Sequence, residues 1–434
     1  MAVNIKVFDN EINKPLREIL GICNTPKKNK PTVIGKNLEL FNKLNFKYIR
    51  HHDASLGNPS HELVDVSRIF PLFHLDETDE RNYRFNETDD YFSIVADANA
   101  EWEIRLGETI DHSGYATRIQ MPPDTEKWAR ICLKIVKHYI EKGYNITSVT
   151  VWEEPENSVL FTGTVEDYYK LFNSVYNLFK RELPFIRIGG PTCGSHDTKY
   201  FADFIALCVK NGTKPDFISQ TIYPLSVNVL LNAIAENRKI LVNACYGEIP
   251  YVLSEWHYGG PGSFIWKVWH GRGEKGNFNK TECATFTATA LMKMLDDPLI
   301  EKAYYYCWDI TPWTPYVIGK NEENAEYFAL YYFQRFIHET SKRVAIECDG
   351  GDNFNVIASK TTDGNTYALI TASQQIVAPV TITANGKNTC YMYAIREDFT
   401  IEEAESCVSL AKNDDGNFTF EHYTGNAVYL LILE

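Results

Sequence analysis

The 434-residue chain has no run of 18 apolar residues and no C-x-x-C pair. The first absence argues against a transmembrane helix. The second leaves ten cysteines, scattered from Cys23 to Cys407, to be read as buried, reduced thiols. Met1-Ala2-Val3-Asn4-Ile5-Lys6 opens without an apolar h-region or a small-residue cleavage site, so a cytoplasmic protein is expected. Positive charge is scarce as well, with 43 Lys and Arg against 57 Asp and Glu for a net charge of −14. Such a surface repels phosphate backbones and anionic bilayers, so neither nucleic acid nor membrane is an expected partner. There is no glycine-rich phosphate loop and no dinucleotide fingerprint. His51, His52, His112 and His257 lack the spacing and flanking cysteines of a zinc motif, so no metal and no cofactor is expected. Cys193-Gly194-Ser195-His196 sets a thiol near a histidine and reads as a loop rather than a nucleophile pair.

What is present is alternation. From about residue 18 to 340, short apolar runs alternate with helical patterns, as in successive βα units. Eight runs qualify as strands: Ile19–Cys23, Phe46–Arg50, Trp102–Leu106, Ser148–Trp152, Ile186–Gly190, Phe217–Ser219, Tyr251–Ser254 and Ala303–Cys307. Amphipathic helices such as Glu126–Glu141 and Val165–Lys180 lie between them, the former punctuated by Pro122-Pro123-Asp124. Eight strands alternating with helices predict an α/β fold, a closed (β/α)8 TIM barrel over residues 18–340. After residue 341 the period changes to two, with turn signals at Asp349-Gly350-Gly351, Asp363-Gly364-Asn365, Asn385-Gly386 and Asp415-Gly416. Residues 341–434 therefore predict a C-terminal antiparallel β-sandwich, joined by an N-terminal strand within residues 1–17.

A (β/α)8 barrel builds its active site where strands end at the C-terminal face. The fourth strand runs into Glu153-Glu154-Pro155-Glu156-Asn157, and the seventh into Glu255-Trp256-His257. Two strands on roughly opposite sides of the rim would thus each present a carboxylate to one cleft. Glycoside hydrolysis needs such a pair: an acid to protonate the leaving oxygen and a carboxylate to meet the oxocarbenium-like carbon. The acid must keep its proton near neutral pH, which burial and a neighbouring negative charge can arrange. Either glutamate alone would read equally well as a solvated loop residue.

Val151-Trp152-Glu153-Glu154-Pro155-Glu156-Asn157 resembles the W-N-E-P-N block of glycoside hydrolase family 39, the β-xylosidase and α-L-iduronidase family. Leu253-Ser254-Glu255-Trp256 resembles that family's strand-seven nucleophile segment. Phe46 through His52, Lys127 through His138, Ile188-Gly189-Gly190-Pro191, and Asp216 through Pro224 resemble further segments in the same order. The resemblance implies Glu154 as acid/base and Glu255 as nucleophile, with Glu153 in reserve for the former. It implies that Arg50 orients the nucleophile and that His52 contacts a sugar hydroxyl. By position, Glu108 would bind a hydroxyl or brace the rim, and Tyr223 would hydrogen-bond Glu255 or serve packing. Trp308 would form the floor of the sugar subsite, as in related barrels, or pack in the core, and some of Trp256, Tyr258, Trp266, Trp269 and Trp313 would line further subsites. The sequence departs from the pattern twice. Glu153 stands where the family has an asparagine that donates to the sugar 2-hydroxyl, and Thr221 stands where it commonly has a histidine.

The expected function is a retaining glycosidase that removes a terminal sugar, β-xyloside-like or an arabinoside or galactoside, from short oligosaccharides by double displacement. Its partner would be a small carbohydrate, with a homo-oligomer left open. Two alternatives stand beside it, a sugar-binding protein silenced by the change at Glu153 and a transglycosidase passing the glycosyl group to another sugar.

Overall fold

The computed structural model describes residues 2–26, 31–52, 63–110, 117–194, 198–260, 281–308, 317–319, 322–373, 378–397, 399–422 and 425–434. A first strand, β1 (Val3–Glu11), precedes eight that close into a parallel barrel. These are β2 (Leu20–Cys23), β3 (Tyr48–His51), β4 (Glu101–Leu106), β5 (Ile146–Val151), β6 (Arg187–Gly194), β7 (Phe217–Ile222), β8 (Tyr251–Trp256) and β9 (Ile300–Tyr305). Each pairs with the next, and β9 returns to β2 through Leu20 opposite Ala303. All eight strands expected from the apolar runs form, displaced by a few residues at their ends. Their residues are almost wholly buried, as expected of parallel strands covered on both faces.

Local chemistry fixes the helices between them. Asp124 accepts a hydrogen bond from the Lys127 amide at 2.9 Å and so caps Thr125–Glu141. Thr164 and Asp167 form a reciprocal capping box at the start of Val165–Glu182. Inside the barrel, glycines make room for rings. A Cβ on Gly189 would lie 2.1 Å from the Phe217 ring, and one on Gly21 would lie 2.5 Å from the ring of Tyr304. Phe217 and Tyr304 share an interior cluster with Cys23, Tyr48, Val252, Tyr306 and Cys307, so the barrel is filled rather than open.

The chain divides into two compact units. One comprises Ile19–Gly259 with Leu299–Thr314, and the other Met1–Glu18, Gly260–Pro298 and Pro315–Glu434. The second unit therefore takes in more than residues 341–434. It includes the helix Thr281–Leu295, buried on nearly every face, whose Thr289 hydroxyl donates to Thr371 at 2.8 Å. It also includes Ala325–Glu339, where the Tyr332 hydroxyl donates to the Ala404 carbonyl at 2.7 Å. A two-residue hairpin, β10 (Ile318–Gly319) and β11 (Glu322–Glu323), precedes the latter helix.

The remaining strands are β12 (Lys342–Cys348), β13 (Phe354–Lys360), β14 (Thr366–Ala372), β15 (Ala378–Ala384), β16 (Cys390–Ile395), β17 (Val408–Ser409), β18 (Phe418–His422) and β19 (Ala427–Leu433). They join β1 in one nine-stranded sheet ordered β17-β16-β19-β14-β13-β12-β1-β15-β18. β1 runs antiparallel to β12 but parallel to β15, with Val3 opposite Val380, so the sheet is mixed. Phe420 on one edge strand nonetheless touches Tyr429 near the other edge, with ring centroids 4.9 Å apart. The sheet thus curls over on itself and encloses its core as a sandwich would. Among the described residues, no helix is long and apolar enough to cross a membrane.

Gly189→Ala should drive a methyl into the Phe217 ring and lower stability by about 1–3 kcal/mol. Urea unfolding followed by fluorescence checks this, and an unchanged midpoint would contradict the interior packing described.

Candidate active site

Barrel closure brings one arginine to the centre of a ring of acids. Arg50, on β3, is fully buried and spans the lumen. Its Nε donates to Glu103 on β4 at 3.2 Å, one Nη to Glu255 on β8 at 3.1 Å, and the other Nη to Glu153 just beyond β5. Neighbouring carboxylates push its pKa well above the arginine range despite burial, so the cation is permanent. Glu103 also receives the Ser148 hydroxyl at 3.1 Å. Burial lifts the Glu103 carboxyl above its usual range, and Arg50 opposes that lift.

Glu255 is buried at the end of β8 and is held from three directions. Arg50 and His52 Nε2 both lie 3.1 Å from its Oε1. The Tyr223 hydroxyl, from the loop after β7, donates to its Oε2. Tyr223 is held in turn by close backbone packing, because a Cβ on Gly259 would sit 2.0 Å from the Tyr223 carbonyl oxygen. Only glycine fits there. Its ring also lies against His257, with centroids 4.2 Å apart.

At the end of β5, strand geometry stops and adjacent carboxylates diverge. Trp152 and Glu154 both adopt left-handed backbone, at φ 65° and 38°. Such conformations are uncommon outside glycine and gather at functional sites. Glu153 turns inward, where it accepts from Arg50 and, at 2.8 Å, from the Thr221 hydroxyl. The two positions where the sequence departs from the family pattern are therefore bonded to each other. Glu154 is half-buried and accepts from Asn157 Nδ2 at 3.1 Å, while its amide bonds to the Thr192 carbonyl at 3.1 Å. Burial, reinforced by the charge of Glu153, raises its pKa to about 7. The sequence reading passed over Glu156, which accepts from the Gly194 amide at 2.5 Å. Burial and the charge of Glu154 push Glu156 up to about 8. Its place two residues beyond the acid, on the same turn, is the signal that could have found it.

Other expected residues have partners of their own. Glu108 is buried and accepts from the Ser67 amide at 2.9 Å and the Ser67 hydroxyl at 2.5 Å. Burial and nearby Asp65 raise its pKa to about 8. Trp256 has no exposed surface and packs edge-on against Tyr305, with centroids 5.5 Å apart. Trp308 is equally enclosed; its Nε1 donates to Asn37 at 2.7 Å, and its ring meets Phe41 at 5.0 Å. Tyr258 is also buried. His112, Ser195, His196, Trp266, Trp269 and Trp313 lie outside the described residues.

His52, Glu153 and Glu255 bring possible metal-ligand atoms within 4.8 Å of one another. The Arg50 guanidinium, bonded to both carboxylates, already supplies the positive charge such a cluster calls for. These donors do not fit a metal ion. Glu154 stands with its pKa raised by burial, and Glu255 stands fixed by three donors. An acid and a nucleophile call for two carboxyl groups in such different surroundings.

A family model described as glycosyl hydrolases family 39 matches residues 3–246. A β-xylosidase of Geobacillus stearothermophilus is 27% identical over 199 residues, 42% of this chain and 37% of that protein. One of Caldicellulosiruptor saccharolyticus is 30% identical over 123 residues, 27% of this chain and 24% of that protein. The chain thus matches well under half the length of these relatives. Among solved structures, a glucosidase of Croceicoccus marinus aligns over 100% of this chain and 99% of its own, with a TM-score of 0.78 at 17% identity. A family 39 β-xylosidase of Caulobacter crescentus aligns over 99% of each chain, with a TM-score of 0.68 at 15% identity. These structural likenesses show the fold.

The raised carboxyl groups carry a stability consequence. Folded Glu154 keeps its proton to about pH 7, and Glu108 and Glu156 to about pH 8, whereas in the unfolded chain each releases it near the ordinary 4.5. The folded state therefore binds more protons, and stability falls as pH rises through this range. Buried His51 and His257, depressed from 6.5 to about 3, act in the opposite sense but only below pH 6.5. Between pH 6.5 and 8 the urea midpoint should fall, and Glu108→Gln with Glu156→Gln should flatten the fall. A wild-type midpoint that holds or rises over that interval would contradict these assignments.

Proposed function

The chain belongs to glycosyl hydrolases family 39, and on that premise we propose that it is a retaining glycosidase acting on the terminal sugar of small glycosides. Glu154 is the acid/base and Glu255 the nucleophile. The observation that carries this reading is the contrast between them. A half-buried acid with its pKa raised to about 7 stands on one strand end, and a carboxylate oriented by Arg50, His52 and Tyr223 stands on another.

In the first step Glu255 attacks the anomeric carbon as Glu154 gives its proton to the departing oxygen, leaving a glycosyl ester on Glu255. In the second, Glu154, now a carboxylate, takes a proton from the water that releases the sugar. Arg50 and His52 both address Oε1 of Glu255 and Tyr223 addresses Oε2, which orients the carboxylate for attack. β-Xylosides are the first substrates to try, because the Geobacillus and Caldicellulosiruptor relatives are β-xylosidases. Arabinosides and galactosides follow. Buried thiols such as Cys132, Cys208 and Cys390, free of disulfides, support a reducing, cytoplasmic location.

Release of p-nitrophenol from a panel of α- and β-glycosides tests the reading. One sugar should turn over, with an alkaline limb of kcat/KM near pH 7 set by Glu154. Glu154→Gln should lower the rate by about 10²–10⁴-fold. Azide should revive Glu255→Ala to give a glycosyl azide of inverted configuration, and Glu154→Ala to give a retained one. Undiminished turnover by Glu255→Ala, or an inverted product from the wild type, would overturn the proposal. Binding without turnover by the wild type would point to a sugar-binding protein, and products extended by an added acceptor to a transglycosidase.

A further inference from the structure

His52 lies between the nucleophile position and a second buried arginine, and the chemistry of that arginine decides where the ring proton sits. Arg105, on β4, is fully buried, and its Nε donates to His52 Nδ1 at 3.3 Å. A guanidinium has only donors, so Nδ1 must present a lone pair. In a neutral imidazole the proton then belongs to Nε2, which lies 3.1 Å from Glu255 Oε1 and can only donate to it. Glu153 does not compete for Nδ1, because its Oε2 is 3.6 Å away, beyond hydrogen-bond range.

Arg105 is itself seated firmly. One Nη donates to the His52 carbonyl and, at 2.7 Å, to Asp65 Oδ1. Asp65 has no exposed surface and precedes the short helix Val66–Ile69. It accepts from the Thr109 amide at 3.0 Å, the Thr109 hydroxyl at 2.9 Å and Arg118 at 3.0 Å. The charged groups facing the His52 ring among the described residues are thus the cations Arg50 and Arg105 and the carboxylates Glu153 and Glu255. The titratable Tyr306 ring stands 6.2 Å off. Burial first, then the two guanidinium groups, hold the ring well below the usual histidine range. Without Arg105 the balance reverses toward two carboxylates, and an imidazolium facing Glu255 would pair with it and blunt its attack.

We propose that Arg105, seated on Asp65, is a positioning residue that fixes the Nε2–H tautomer of His52 and keeps that ring uncharged beside Glu255. The effect on rate rests on the reading of Glu255 as nucleophile; the effect on the ring does not. Long-range ¹H–¹⁵N NMR of ring-labelled histidine, with His52 assigned by its loss in His52→Gln, tests the ring directly. In the wild type, His52 should show the Nε2–H pattern and no titration between about pH 5 and 8. Arg105→Met removes donor and charge while Asp65 keeps Thr109 and Arg118. In that variant His52 should titrate near the ordinary imidazole range of about pH 6–7. The activity of Arg105→Met should then fall about tenfold on going one pH unit below that midpoint, a limb absent from the wild type. Arg105→Lys, which keeps a cationic donor, should restore part of the flat response. A wild-type His52 that is Nδ1-protonated or titrates between pH 5 and 8 would overturn the proposal, as would an unchanged ring in Arg105→Met. If Arg105→Met does not fold, the wild-type spectra decide alone. A ring that behaves as expected with no new acid limb in Arg105→Met would leave the positioning role intact and count against Glu255 as nucleophile.

Discussion

One buried cation organises the site. Arg50 reaches from β3 to carboxylates on β4, after β5 and on β8, so residues separated by up to 205 positions in the chain share a single charge. A guanidinium suits this because its donors are spread over three nitrogens in a rigid plane, and it cannot lose its proton. Three buried acids around one arginine are more negative charge than it can balance, and the surplus is met by neutral donors. Ser148 serves Glu103, Thr221 serves Glu153, and Tyr223 and His52 serve Glu255. Such a network is costly to break in any one place, because each removal strands a buried charge. That explains why the β3, β5, β7 and β8 ends must stay in register.

The same surplus charge, after burial, raises the pKa of Glu154. Glu153 and Glu154 are neighbours in sequence, yet one is drawn under Arg50 and the other is directed to the turn that carries Asn157 and faces Gly194. The left-handed backbone at Trp152 and Glu154 accomplishes the split. A carboxylate paired with arginine on one side and a carboxyl with its pKa raised to about 7 on the other are two states of the same residue type made by environment. The glutamate that replaces the family asparagine therefore has a structural partner in Thr221 and an electrostatic effect on Glu154.

Much of this was legible in the chain. The eight apolar runs marked the barrel strands, and the position of Glu154 and Glu255 just past two of them marked the rim. Strand alternation was the sequence's ground for setting Glu153 apart from Glu154, but both lie beyond β5, and the left-handed turn does the separating. Applied three strands further along, on β8, alternation also sets Trp256 opposite Glu255, and Trp256 packs against Tyr305. Arg105 and Asp65 could not be read out. Nothing in Ile104-Arg105-Leu106 distinguishes a residue that holds a histidine from an ordinary buried ion pair, and Asp65 acts through partners 40 or more residues away. The sheet's order was hidden for a similar reason. β1 enters it between β12 and β15, pairings that span over 300 residues and leave no periodic trace. The grouping of Thr281–Leu295 with the sheet unit was likewise invisible, since an all-round apolar helix suits either neighbour.

In the double displacement proposed above, one carboxylate must become covalently attached to the sugar. Glu255 and Glu153 both bond Arg50, so geometry alone puts them in competition for the sugar. The decisive measurement is mass spectrometry of peptides from protein inactivated with the 2-deoxy-2-fluoro glycoside of whichever sugar is turned over. With Glu255 as nucleophile, the sugar should be found on Glu255, in the peptide carrying Leu253-Ser254-Glu255-Trp256. A label on Glu153 or Glu154 would contradict that assignment.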